Sequence, residues 1–145
     1  MITEHFVFDL DREQRVLAWK VRGPIYMEDL PEILDVIKGS VEPFGKGAMK
    51  LLVDNREMMI NGNPIIFTPE VNDEWIKLQG WLLPFCCRVA VLCNGSAMKM
   101  QMDRLARTSG LDCMLRAFWG DSSQPDAYSF LDIQRNALID VDRAA

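Results

Sequence analysis

Unbroken apolar runs alternate with amphipathic segments in the second half of the chain. Residues 88–93 form an apolar run of strand length, and a polar turn over 94–96 follows it. The next segment repeats apolar residues at helical spacing and ends at Gly110. Continuous apolar strands joined by amphipathic helices are typical of a parallel sheet covered by helices, so the pattern predicts an α/β fold.

The rest of that half follows the same alternation. A strand is predicted over 113–118, and a last helix runs from Pro125 to about Leu138. Ser96 and Ser123 stand at the start of two helical segments, where a hydroxyl can accept a hydrogen bond from a free backbone N–H, and we interpret both as helix caps. The predicted inward positions of the last helix are Ala127, Phe130, Leu131 and Leu138.

The first half begins with two segments of alternating polarity. Residues 5–10 and 15–21 predict the strands of a β-hairpin. Apolar residues then recur at i, i+3, i+4 and i+7, which predicts a helix over 27–38 that Gly39 ends. A short strand is predicted over 49–54.

A long connection over 55–68 separates that strand from the next helix. It contains turn signals, yet Met58, Met59 and further apolar residues make it too apolar for a purely solvated loop. Thr68 then caps a predicted helix that runs to about residue 82.

The predicted elements give the order ββαβαβαβα in a single domain over residues 1–145. They predict a mixed, largely parallel five-stranded sheet covered by about four helices. The chain has 145 residues, of which 49% are hydrophobic, and this is enough for one self-sufficient core.

The charge of the chain narrows the choice of partners. Its formal net charge is -5, whereas binding to nucleic acid requires clustered Lys and Arg, so no nucleic-acid partner is expected. No apolar run approaches the ~20 residues that span a bilayer. Residues 1–10 lack the basic start and long apolar core of a secretory signal, so we expect a cytoplasmic protein.

The inventory of reactive side chains predicts no catalytic site, no metal and no cofactor. His5 is the only histidine, so a nucleophilic triad or a zinc site lacks the residues it needs. Four cysteines lie in or beside predicted buried strands, and we interpret them as reduced thiols of the core. The vicinal pair Cys86 and Cys87 is the one redox candidate.

Polar residues follow the predicted parallel strands at the point where each strand ends. Asp54, Asn55 and Arg56 come directly after one strand, and Asn94 and Ser96 follow another. The carboxyl ends of parallel strands meet at one edge of a sheet, which is where open α/β sheets bind ligands. These side chains are either a binding site for a ligand or partner, or simple caps and turn residues.

Met58 and Met59 require the same choice between two interpretations. Methionine fills irregular gaps in cores, and it also lines adaptable binding surfaces. The two residues therefore either pack in the core or form part of a cover over a ligand pocket or a subunit interface.

Three segments give the chain a resemblance to a known family. They are the strand over 50–54 with its polar exit, the segment 75–81 that leads into 88–91, and residues 117–121 before the last helix. Together with the element order, they resemble the STAS and SpoIIAA-like group of anti-sigma-factor-antagonist domains. The resemblance covers nearly the whole chain, and it implies a mixed sheet with packed helices in proteins that are usually not enzymes.

One position departs from the family pattern. STAS proteins of the partner-switching kind carry a phosphorylatable Ser or Thr shortly after this third strand, in a pattern like Asp-x-Ser. Here the residues are Asp54-Asn55-Arg56, so Arg56 occupies the position of that serine. The resemblance therefore implies an interaction module that lacks the usual phosphorylation switch.

Three functions follow, in descending order. The first is a non-enzymatic, regulatory module that binds a protein partner or a second copy of itself. The second is a carrier of a small apolar ligand beneath the connection over 58–67, which is implied by the similarity of the group to lipid-carrying CRAL-TRIO domains. The third is an enzyme that would use Asp54, Arg56 and Ser96.

Overall fold

The computed structural model of the protein describes residues 5–60, 63–64, 68–108 and 110–144. The strands in those ranges are β1 (Phe6–Asp11), β2 (Val16–Val21), β3 (Met49–Asp54), β4 (Met59–Ile60), β5 (Asn63–Pro64), β6 (Cys86–Leu92) and β7 (Leu115–Phe118). The α-helices there are α1 (Leu30–Val41), α2 (Pro69–Leu82), α3 (Ser96–Thr108), α4 (Ser123–Leu131) and α5 (Ala137–Ala144). Short 3-10 turns cover Met27–Asp29, Glu42–Phe44 and Leu83–Phe85.

The main sheet has five strands in the order β1-β2-β3-β6-β7. β1 and β2 are antiparallel, and each further pair of neighbours is parallel. Ala18, Leu52 and Ala90 stand side by side in register near the centre of the sheet. This arrangement confirms the predicted mixed, largely parallel five-stranded sheet. β4 and β5 form a separate antiparallel pair within the long connection, which the sequence pattern does not predict.

An apolar layer covers each face of the sheet. On the first face, α1, α2 and the inner side of α3 pack against a cluster that includes the fully buried Ile33 and Ile37. On the second face, α4 and α5 cover Leu52 and Ala90. The three helices that connect parallel strands share the first face because each connection winds in the same direction.

The first helix continues past its predicted end. Gly39 does not stop α1, which runs to Val41 and is followed by a 3-10 turn. Val41 is fully buried one turn after Ile37. Burial of a valine side chain contributes about 1.5–3 kcal/mol, which outweighs the roughly 1 kcal/mol that a glycine costs inside a helix.

The predicted last helix is wrong as a single element, because two helices cover that region. α4 ends at Asp132, which adopts a left-handed conformation with φ 56°, and α5 begins five residues later. The side chain of Asn136 accepts hydrogen bonds from the backbone N–H groups of Leu138 and Ile139 at 3.1 and 3.2 Å, so it caps α5. The predicted inward residues Ala127 and Leu131 are fully buried, whereas Phe130 and Leu138 are half-buried.

α5 packs over the β-hairpin at the other end of the sequence. It contacts β1 and β2, and its fully buried Ile139 belongs to the same apolar cluster as Val16 and Ala18. The side-chain amide of Gln14, in the hairpin turn, donates to the carbonyl oxygen of Arg135 at 3.1 Å. The second face of the hairpin is therefore covered by the last helix of the chain.

The predicted caps have different outcomes. Thr68 is confirmed as the cap of α2, because its hydroxyl accepts a hydrogen bond from the backbone N–H of Val71 at 3.3 Å. The prediction for Ser123 is wrong, since Ser122 holds the cap position of α4 and Ser123 is a buried residue of the first turn. Ser96 is the first residue of α3.

All four cysteines are free thiols, but only two of them lie in the core. Cys86 and Cys93 are buried, and burial raises the pKa of these thiols to about 12 and about 11 respectively. Cys87 and Cys113 are exposed, so the prediction of four buried thiols is wrong for these two. Cys87 is exposed because it is the extra residue of a bulge: Met49 pairs with Cys86 and Lys50 with Arg88.

Candidate functional site at the carboxyl edge of the sheet

The loops that follow β2, β3, β6 and β7 meet at one edge of the sheet, because these four strands are parallel. Asp54 is the last residue of β3, and only 1% of its surface is exposed. Its register neighbours are Lys20 in β2 and Leu92 in β6. A carboxylate is thus buried at the centre of this edge.

Arg56 compensates the buried carboxylate of Asp54. Its Nε and Nη2 atoms donate to the two carboxylate oxygens of Asp54 at 2.9 Å each, and its backbone N–H donates to Oδ1 at 3.0 Å. These hydrogen bonds raise the pKa of the Arg56 guanidinium. The side chain of Arg56 is 32% exposed, so the pair reaches from the core to solvent.

Lys20 is a second cation beside Asp54, and the sequence pattern does not predict its burial. It is fully buried, and its Nζ atom lies 4.0 Å from the carboxylate of Glu57, which is also 3.6 Å from Nε of Arg22. Burial lowers the pKa of Lys20, and the charges of Asp54 and Glu57 partly oppose that change. Acidic and basic side chains of two neighbouring strand exits therefore form one electrostatic cluster.

Hydrogen bonds extend this cluster to the second face of the sheet. Nη1 of Arg56 donates to the side-chain oxygen of Gln124 at 3.4 Å, and the amide nitrogen of Gln124 donates to Asp140 at 3.2 Å. The same oxygen of Asp140 accepts the hydroxyl of Tyr128 at 2.7 Å. Sequence analysis misses these three residues, because no local pattern indicates that α4 and α5 approach the exit of β3.

Asn94 joins the exit of β6 to the loop after β3. Its side-chain amide donates to the carbonyl oxygen of Met58 at 3.2 Å and lies 3.8 Å from the sulfur of Met59. The backbone N–H of Asn55 donates to the carbonyl oxygen of Leu92 at 2.9 Å. The structure therefore brings the predicted residues Asn55, Met58, Met59 and Asn94 together.

The two methionines have different environments. Met58 is buried, with 7% of its surface exposed, and belongs to the apolar cluster of the first face. Met59 is 37% exposed. Core packing therefore explains Met58, whereas Met59 remains available to a partner.

Ser96 does not join the cluster around Asp54. It is exposed at the start of α3, and the hydrogen bonds of Asp54 and Arg56 go to each other and to Gln124. The combination of Asp54, Arg56 and Ser96 that an enzyme would need is therefore not assembled by these contacts.

Large apolar side chains stand exposed on the loops of the same edge. We call them the edge patch: Tyr26, Met27, Met59 and Trp119. Tyr26 and Met27 follow β2, Met59 follows β3, and Trp119 follows β7. Tyr26 and Trp119 are each 52% exposed. Neighbouring strands lie about 4.8 Å apart, so loops from successive strand exits present these side chains along one side of the molecule.

Several expectations concern features away from this edge. Nδ1 of His5 lies 3.0 Å from the carbonyl oxygen of Pro24, as a hydrogen-bonded histidine beside the first strand. Among the residues the structure describes, no group of three or more His, Cys, Asp or Glu is placed to hold a metal ion. Within the same ranges no helix is long and apolar enough to cross a bilayer. Residues 61–62 and 65–67 of the proposed ligand cover lie outside the described residues.

Comparison with known proteins supports the fold. No protein-family model matches the chain, and no curated protein matches it. Among solved structures, it is similar to the crystal structure of an uncharacterised protein of the DUF3478 family with a SpoIIAA-like fold, from Shewanella loihica. The two have 16% sequence identity and a TM-score of 0.68, over 87% of this chain and 93% of that chain. This similarity confirms the SpoIIAA-like fold that the sequence resemblance implies.

Proposed function

We propose that this protein is a non-enzymatic interaction module that binds a protein partner through the carboxyl edge of its sheet. The observation that carries the proposal is the edge patch, in which four large apolar side chains from three loops face solvent. Contiguous exposed apolar surface on a small protein is typical of an interaction site, and Trp, Tyr and Met are enriched in such interfaces. The expected partner therefore presents a complementary apolar surface.

The contacts beneath the patch support this proposal. Asn94 holds the loop that carries Met59, and the Asp54–Arg56 pair fixes the start of the same loop. Loops that are already ordered lose less conformational entropy on binding. The edge patch is therefore presented by a prearranged support.

The charge of Arg56 indicates how such binding would be controlled. In the partner-switching STAS proteins that the chain resembles, this position holds a phosphorylatable residue. Here a guanidinium is bound to a buried carboxylate, and it carries a permanent positive charge. We expect binding that does not depend on phosphorylation of residue 56.

The test compares charged substitutions inside and outside the edge patch. Trp119→Glu and Met59→Glu place a carboxylate in the patch, whereas Ile76→Glu places one at a similarly exposed apolar position of α2, where Ile76 is 57% exposed. Each variant and the wild type are used to capture partners, and the affinity of each captured protein is then measured in purified form. The proposal expects a partner whose affinity falls about tenfold or more with either patch variant and is unchanged by Ile76→Glu.

Two results would contradict the proposal. One is a set of captured proteins that is the same for the wild type and both patch variants. The other is a native mass spectrum of freshly purified wild type with a bound lipid-like mass, which would support the apolar-ligand carrier instead. Light scattering on the same sample shows whether the partner is a second copy of the chain, in which case the patch variants should be monomeric.

A further inference from the structure

A groove of about 650 Å3 lies between α4 and the edge strand β7, on the second face of the sheet. Its walls include the side chains of Arg88, Arg116, Phe118 and Phe130, together with Ser129 and Asp126. A neighbouring groove of about 370 Å3 shares Arg88 and Ser129 and adds Lys50. The two grooves are continuous through these shared residues and lie away from the edge patch.

The two arginines occupy adjacent positions on this face. Arg116 is the register partner of Ala90, and Arg88 precedes Ala90 by two residues on the same side of β6. The guanidinium carbons lie 5.3 Å (Arg88) and 4.7 Å (Arg116) from the centre of the Phe130 ring. Nη1 of Arg88 also donates to the carbonyl oxygen of Phe130. One aromatic ring and one backbone carbonyl thus hold both guanidinium groups in place.

The charge of these arginines is not matched by an ion pair. Within the described ranges of the chain, the recorded ion pairs involve neither Arg88 nor Arg116. Lys50 adds a third cation, and its Nζ atom donates to the carbonyl oxygen of Asp132 at 3.3 Å. A cluster of three cations in a concave surface is notable on a chain with a net charge of -5, because the overall field repels anions.

We propose that this groove binds a small phosphate ester that carries hydroxyl groups. Guanidinium groups bind phosphate oxygens in a bidentate manner, and Arg88 and Arg116 are held close enough to the same ring to share one phosphate. The groove is far larger than a bare ion and falls within the 300–1,000 Å3 that is typical of small-molecule sites. Phe118 and Phe130 offer apolar contact to the organic part of the ligand, and Asp126 offers an acceptor for one of its hydroxyls.

The carboxylate of Asp126 also limits what the groove accepts. It already accepts the hydroxyl of Ser122 at 2.8 Å, and its negative charge disfavours a ligand that is anionic at both ends. A ligand with one phosphate and a neutral hydroxylated body therefore fits better than a polyanion. This inference concerns a different face from the interaction site, so neither proposal depends on the other.

Binding is measured by titration calorimetry at constant ionic strength with glycerol 3-phosphate, adenosine monophosphate and inorganic phosphate. The variants are Arg88→Gln and Arg116→Gln, with Arg104→Gln on the exposed side of α3 as the matched loss of one charge. We expect saturable binding of at least one ester, weakened about tenfold or more by either groove variant and less than about twofold by Arg104→Gln. Chemical shifts of the wild type should change on β7 and α4, which gives a readout that needs no variant.

Three outcomes would overturn the inference. The first is the absence of saturable ester binding up to about 10 mM, which corresponds to less than about 3 kcal/mol of binding free energy. The second is an equal loss of affinity in Arg104→Gln, which would indicate general charge attraction. The third is binding of inorganic phosphate as tight as that of both esters, which would indicate an anion site without recognition of the organic part.

Discussion

Asp54 determines the electrostatics of the carboxyl edge, because it is the buried anion between two cations. Lys20 is fully buried on one side of it, and the guanidinium of Arg56 is bound to both of its oxygens on the other. Loss of the anion would leave Lys20 with only the more distant carboxylate of Glu57. The three side chains therefore contribute unequally to stability.

We predict that Asp54→Asn lowers the free energy of unfolding by roughly 3–5 kcal/mol, the usual cost of removing one member of a buried ion pair. Arg56→Met should cost less, about 1–2 kcal/mol, because the removed group is partly exposed and Lys20 still compensates Asp54. Urea denaturation of both variants measures the difference. A larger loss for Arg56→Met than for Asp54→Asn would contradict this assignment.

Lys20 leads to a prediction about pH. Burial lowers its pKa below the usual 10.5, so the folded protein gives up this proton more readily than the unfolded chain. Folding is therefore penalised below the lowered pKa, and the penalty disappears as pH rises to 10.5. Lys20→Met removes the titrating group and should gain most relative to wild type near neutral pH.

The measurement for Lys20 is the difference in free energy of unfolding between Lys20→Met and wild type at several pH values between 7 and 10.5. The comparison removes the effect of other titrating groups, such as the buried thiols, because both proteins share them. A difference that stays constant or grows with rising pH would refute the assigned direction.

Sequence reasoning identified some of these residues and missed others for a physical reason. Asp54 and Arg56 follow an apolar strand directly, so their place at the edge is a local property. The burial of Lys20 depends instead on the register of β2 against β3, which the sequence of β2 alone does not contain. The contact of Gln124 with Arg56 joins residues 68 positions apart and is equally invisible to a local pattern.

At the scale of elements, the break between α4 and α5 depends on one residue. Asp132 adopts a left-handed conformation with φ 56° and ends α4, and the backbone N–H of Ile133 then returns to the carbonyl oxygen of Tyr128 at 3.0 Å. Apolar periodicity continues across the break, so a single helix over 125–138 is the natural prediction. The conformation of one exposed aspartate overrides the pattern.

We predict that Asp132→Gly stabilises the protein by up to about 1 kcal/mol, because glycine adopts the left-handed conformation without the strain of a side chain. Asp132→Val should destabilise it by about 1–2 kcal/mol, since a β-branched residue is least tolerant of that conformation. Thermal unfolding followed by circular dichroism gives the order Gly, Asp, Val. If valine is tolerated as well as aspartate, the break between α4 and α5 is not controlled here.

At the scale of the whole molecule, the sheet has a protected centre and two edges. β3 and β6 bond to a strand on both sides and are covered by helices on both faces, whereas β1 and β7 are the edge strands. Strand exits, helices and the edge patch are arranged around this centre. The global stability of the protein should therefore be reported by the two central strands.

We predict that the amide hydrogens of residues 51–53 and 89–92 exchange most slowly, through global unfolding only. Those of β7 should exchange faster, because an edge strand can separate without disrupting the rest of the sheet. Hydrogen exchange followed by NMR over a range of denaturant concentrations tests this order. Equal protection of β7 and β3 would indicate that the edge strand is covered in solution, for example by another molecule.

The architecture was more predictable than the site because the two depend on different information. The five strands and three of the helices follow from the period of apolar residues within each segment, and the sheet order follows from the rule that such units wind in one direction. The edge patch and the basic groove depend on which side chains remain uncovered after packing. Trp119 and Arg116, for example, lie within or beside an apolar strand, and their exposure is a result of the assembled fold.

The position of α5 has a consequence for how the protein is made. During synthesis the hairpin of β1 and β2 leaves the ribosome first, and β3, β6 and β7 can each be added in turn to the growing side of the sheet. The second face of the hairpin, however, stays without its cover until residues 137–144 emerge. A nascent chain that pauses before this point exposes Val16 and Ala18, so the earliest part of the polypeptide is the part that waits longest for its native environment.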